Sequence, residues 1–163
     1  MRTVDRPEGM RGGTRVLELS TLPAPDVPAT VRALLELRLQ RWGLSGLRGG
    51  ALADDLRLCA DELVANAGAA TPNEKITFRA FFVPVDRAIV LSTWDGSDAL
   101  PVVRAVVELT AEDIVPDAHA LDVGHHTEQV GGWGLPMVVA LSTSQGVQRT
   151  EPRGKWVWAR FEF

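Results

Sequence analysis

Two strand-like runs joined by a short connection at 84–87 constrain the fold of this chain more than any other feature. In KITFRAFF (75–82), Ile76, Phe78, Ala80 and Phe82 fall on one side of an extended backbone, because successive strand side chains point to opposite faces. AIVLSTW (88–94) reads as the second strand, and the connection suits a hairpin. Three further runs supply more strands: TRVLELS (14–20), then 145–150 and 155–163, joined by EPRG.

Helical spacing fills the gaps. Asp26 is placed to cap a helix over 26–42, with Val27, Val31, Leu34, Leu35 and Trp42 near one stripe and Gly43 as its stop. A second helix over 50–68 turns Leu52, Leu56, Cys59, Leu63 and Ala67 toward the core. A third runs over 135–142, with Pro136 in its first turn. Residues 98–130 show weak periodicity, contain all three histidines and read as a long loop. The expected fold class is α+β: a two-layer α/β sandwich with a mixed, mostly antiparallel sheet and helices on one face. Residues 1–13 read as a tail, and 14–163 as one domain.

Bulk properties narrow the function. The 163 residues suit a single core, and the formal net charge of −4 weighs against a broad basic surface for nucleic acid. One cysteine, Cys59, excludes an internal disulfide and fits a reducing compartment. No apolar run approaches the roughly 20 residues that span a bilayer. The expectation is a cytoplasmic protein with no membrane and no direct nucleic-acid partner.

Three polar constellations interrupt this pattern. Glu62 and Asn66, in DELVANA (61–67), share one side of the second helix and flank its apolar stripe. Asn66 offers a hard carbonyl oxygen to magnesium, and Glu62 can act as a general base; a solvated helix flank is the other reading of the pair. Asp95 follows the strand in WDGSDALP (94–101). A carboxylate there can accept from an exocyclic amino group, although Asp-Gly is also a common turn. Gly131, Gly132 and Gly134 precede the third helix in GGWGLPMVV (131–139) and offer amides to a phosphate, or form a hinge.

The histidines His119, His125 and His126 lack partners at zinc-site spacing, and Cys59 and Trp42 read as core. Trp156 and Trp158 share one face of the last strand, without the basic surroundings of a base-stacking surface.

Taken in order, DELVANA, WDGSDALP after a strand, GGWGLPMV and GKWVWARF (154–161) resemble the Bergerat-fold, histidine-kinase-like ATPases. The likeness is greatest to the small bacterial anti-sigma-factor serine kinases and their stand-alone ATP-binding relatives, and it spans about 14–163. It implies Glu62 as general base and Asn66 as magnesium ligand. It implies Asp95 as reader of the adenine amino group, with Ser97 in the same box, and Gly132, Gly134 and Leu135 beside the triphosphate. A lid is implied over about 102–131. The cofactors implied are ATP and Mg2+. The partner implied is a sigma factor or an anti-anti-sigma protein, with a homodimer as one assembly state. Ser97 replaces a glycine common in that box, and Trp156 replaces a frequent threonine. Three functions remain: a serine/threonine-protein kinase in transcription regulation, an ATP/ADP-responsive binding module, and a scaffold without nucleotide.

Overall fold

The computed structural model describes residues 13–101 and 134–163. The expected lid, Gly131, Gly132, the three histidines and nearly all of the expected tail lie outside them. In chain order the elements are β1 (Arg15–Thr21), α1 (Val27–Trp42), α2 (Ala51–Ala70), β2 (Ile76–Val83), β3 (Ala88–Asp95), α3 (Gly134–Leu141), β4 (Ser144–Arg149) and β5 (Lys155–Glu162).

The strands form one sheet in the order β1-β2-β3-β5-β4. The expected mixed sheet is in fact antiparallel at every described pairing. The reason is topological: β3 and β4 run the same way, but β5 returns between them and separates them.

One face of the sheet carries the core. The row Leu17, Ala80, Leu91, Ala159 crosses four strands in register, and all four residues are buried. Beside it, Phe78, Thr93 and Val157 form a second buried row. Helices cover this face. Leu52, Leu56, Cys59, Leu63 and Ala67 of α2 are buried, as the helical spacing predicts. So are Val27, Val31, Leu35, Leu39 and Trp42 of α1. Leu39 completes the α1 stripe in place of Leu34, which is only partly buried. Each fully buried leucine contributes about 1.5–3 kcal/mol relative to exposure, so the α1–α2–sheet seam dominates the stability of the fold.

The helix ends follow local chemistry, with one correction. Asp26 occupies the N-cap position of α1 but makes no side-chain cap hydrogen bond; its helical backbone angles place it inside the turn. Its backbone carbonyl instead accepts from the amide and the Oγ1 of Thr30. Gly43 ends α1 at φ 74°, a left-handed conformation that suits glycine. Ion pairs cross the α1–α2 seam: Arg57 to Glu36 at 2.7 Å, and Arg32 to Asp61.

Candidate functional site

Asp95 is the last residue of β3, fully buried, and it lies in register opposite Lys155 of β5. Alternation places both on the covered face of the sheet, in line with Thr93 and Val157. Two charges at core positions require each other. Lys155 Nζ donates to Asp95 Oδ1 at 2.7 Å, with side-chain exposures of 2% and 0%. The ammonium also donates to the Ser97 carbonyl oxygen at 3.1 Å. The Ser97 amide donates to the same Oδ1 at 2.9 Å, folding the chain back after the strand. Among the described residues, Asp95 Oδ2 is buried with no hydrogen-bond partner.

The surrounding turn is held in several places. The Gly154 amide donates to Asp98 Oδ1 at 2.9 Å, and the Ser97 hydroxyl oxygen accepts from the Ala99 amide at 3.2 Å. Gly154 takes φ 86°, and a side chain there would meet the Asp95 carbonyl and the Trp94 ring. Arg153 pairs with Glu74 at 2.6 Å, directly beside Gly96. These contacts tie the turn after β3 to Glu74, just before β2, and to Arg153 and Gly154, just before β5.

Glu62 and Asn66 are both half-buried on α2, on either side of the buried pair Leu63 and Val64. The Thr93 hydroxyl donates to the Leu63 carbonyl oxygen at 3.2 Å. That bond ties α2, at the residue after Glu62, to β3 one pleat from Asp95, a distance of about 7 Å along a strand. Glu62 also meets α3. A Cβ built on Gly134 would overlap the Glu62 carboxylate, so the first residue of α3 is a glycine where the glutamate packs. Burial, and secondarily the charge of neighbouring Asp61, raises the Glu62 carboxyl above its ordinary value of 4.5. Leu135, the next residue of α3, is half-buried.

Among the predicted site residues, the structure joins Asp95 to Ser97, and Glu62 to Gly134. Asn66 sits one helical turn beyond Glu62. Lys155, Thr93 and Glu74 belong to the arrangement but escape the motif reading. A signal for Lys155 does exist: it alternates with Val157, Ala159 and Phe161, so a charge falls on an apolar face and must have a partner.

Other features lie apart. A groove of about 300 Å³ opens between the start of α1 and the C-terminal half of α2. Its lining of Pro23, Ala24, Val27, Pro28, Val64, Ala65, Gly68, Pro72 and Ile76 contains no titratable group and none of the predicted site residues. Among the described residues no cluster of three or more His, Cys, Asp or Glu is arranged for a metal ion, and no helix is long and apolar enough to cross a membrane.

A scan of protein-family models and a search of curated proteins return no match for this chain.

Proposed function

We propose that this chain is an ATP-binding regulatory protein of the Bergerat type, similar to the anti-sigma-factor serine kinases, with its adenine site at Asp95. The observation that carries the reading is the buried, unpartnered Asp95 Oδ2. An acceptor left unpaired in the interior costs about 1–3 kcal/mol, more when charged, so such a group calls for a donor from elsewhere. The exocyclic amino group of adenine is a donor of the right kind. Gly134, which admits no side chain beside Glu62, supports a close approach of α3 to the same end of α2.

In this reading Asp95 orients the base, and Ser97 fixes Asp95 through its backbone amide. Asn66 is the magnesium ligand, offering a neutral carbonyl oxygen; a hydrated magnesium ion held with phosphates needs few protein ligands, so no acidic cluster is required. Bound ATP with magnesium supplies the transferable phosphoryl group and charge neutralisation. Glu62 takes the proton of the incoming hydroxyl, and burial, which holds its carboxyl above the ordinary value, makes it a better proton acceptor than a fully solvated carboxylate. Gly134 and Leu135, the first residues of α3, border the phosphates, and the resemblance assigns Gly132 to them as well. The partner is a sigma factor or an anti-anti-sigma protein.

A second reading, an ATP/ADP-responsive module that switches partners without phosphoryl transfer, is favoured by one observation. Glu62 packs against Gly134 in the α2–α3 seam, which suits a structural carboxylate as well as a base.

Calorimetry tests the shared claim. Wild type should bind ATP with magnesium, and Asp95→Ala should bind it about 10–100-fold more weakly, the loss of a hydrogen bond to a charged group. Equal affinities, or no heat at millimolar ATP, would overturn the reading. Incubation with labelled ATP and a bound partner separates the two versions: transfer that falls in Glu62→Gln supports the kinase, and no transfer from wild type supports the switch.

A further inference from the structure

We infer that Lys155 is a second base-reading residue at the Asp95 site, donating to the ring nitrogen next to the amino group that Asp95 accepts. The inference rests on the nucleotide reading above and deepens it. An ammonium has three N–H donors. Asp95 Oδ1 takes one at 2.7 Å and the Ser97 carbonyl takes a second at 3.1 Å. One donor is left on Lys155, while one acceptor, Oδ2, is left on Asp95.

The two residues are cross-strand partners on adjacent strands, so the free donor and the free acceptor come from neighbouring positions on one face. Residues paired directly across an antiparallel ladder have Cβ atoms about 4.5–5.5 Å apart. Together they offer a donor–acceptor pair to a ligand edge. A 6-aminopurine presents the complement: an amino N–H beside an unprotonated ring nitrogen. A 6-oxopurine presents a carbonyl beside a ring N–H, the reverse order. Seating its carbonyl where the amino group goes would set acceptor against acceptor at Oδ2, and N–H against N–H at Lys155.

Neutralising Asp95 is a purely structural alternative for Lys155. It leaves the third ammonium donor without a role and predicts no sensitivity to the ring nitrogen. A ligand change, rather than a stability change, therefore separates the two.

The test compares ATP with 1-deaza-ATP, in which a C–H replaces that ring nitrogen and the amino group is kept, by calorimetry with magnesium on the full chain. Wild type should bind the deaza analogue about 10–100-fold more weakly, as expected for a hydrogen bond from a charged donor. Lys155→Met should bind both nucleotides alike. Equal affinities on wild type would overturn the role of Lys155 while leaving the Asp95 reading intact, and this arm needs no variant to fold. Discrimination that persists in Lys155→Met would overturn it as well. Failure of both nucleotides to bind at millimolar concentration would overturn this inference and the nucleotide reading together.

Discussion

Replacing Lys155 by Met should destabilise the fold severely, whatever the chain binds. The Lys155 side chain is 2% exposed and that of its partner Asp95 0%. Without Lys155, Asp95 keeps one donor, the Ser97 amide on Oδ1, and Oδ2 still has none. Breaking a buried pair from one side costs about 3–5 kcal/mol, because the remaining charge stays buried and uncompensated. Total stability is on the order of 5–15 kcal/mol, so the loss is a large fraction of it. For a chain of this size about 2–4 °C of Tm accompanies each kcal/mol, which predicts a fall of roughly 6–20 °C. Removing both charges in Asp95→Asn/Lys155→Met should recover part of the loss, since no uncompensated charge then stays buried. Thermal and urea unfolding followed by circular dichroism, at pH 7, measures wild type, the single variants Lys155→Met and Asp95→Asn, and the double variant. The single-variant effect should persist in high salt, because buried pairs are poorly screened. If Lys155→Met stays within 1 kcal/mol of wild type (~1 kcal/mol being ordinary for a point mutation), or if the two single losses simply add in the double variant, the buried-pair reasoning fails.

Burial, then the charges of Asp55 and Glu62, pushes the Cys59 thiol up to about 12. Native protein should therefore resist iodoacetamide at pH 8 and react only on unfolding; labelling at the rate of a free thiol would contradict this. The matching stability term is present below the ordinary thiol value of 9.0 and is lost as pH rises toward about 12. Glu62 is also raised, so the fold loses stability from this group as pH climbs through and above its ordinary 4.5. Glu62→Gln removes that term, and its Tm relative to wild type should rise with pH over this window; a constant difference would refute the shift. Gly134→Ala places a methyl group against the Glu62 carboxylate and should cost about 1–3 kcal/mol by overpacking. The cost should shrink in a Glu62→Ala background, and an unchanged cost would show that the two residues do not meet.

Periodicity made most of the architecture legible. The alternation of Ile76, Phe78, Ala80 and Phe82 corresponds to the buried side of β2, and the α2 stripe from Leu52 to Ala67 is buried throughout. These patterns are legible because burial on one face repeats at the period of the element itself. Strand order is different. Neither the hairpin at 84–87 nor EPRG states that β5 returns between β3 and β4: EPRG accounts for the local pairing of Val157 with Val147, but the placement depends on the long-range pairing of Val157 with Thr93. The Asp26 side chain illustrates a second limit: residue type favours a cap, but the helical backbone angles at that position carry the side chain away from the first-turn amides.

At the candidate site, Glu62, Asn66 and Asp95 were readable because polar side chains flanking or ending an apolar element need a reason to be there. The pairing that shapes the site was not. Asp95 and Lys155 are 60 residues apart, and their contact exists only because β3 and β5 align at their ends. Motif reading weighed Trp156, the neighbour on the opposite face, and passed over Lys155 itself. A face-by-face reading of β5 puts the ammonium in line with Val157, Ala159 and Phe161, where burial without a counter-charge would be prohibitive. On the covered face of β2 and β3, Asp95 is the acidic member of an otherwise apolar and threonine-bearing set, so the two charges select each other once the strands are adjacent. Strand adjacency is therefore the missing information, and with it Lys155 and Asp95 account for each other's burial while Asp95 Oδ2 stays without a partner among the described residues.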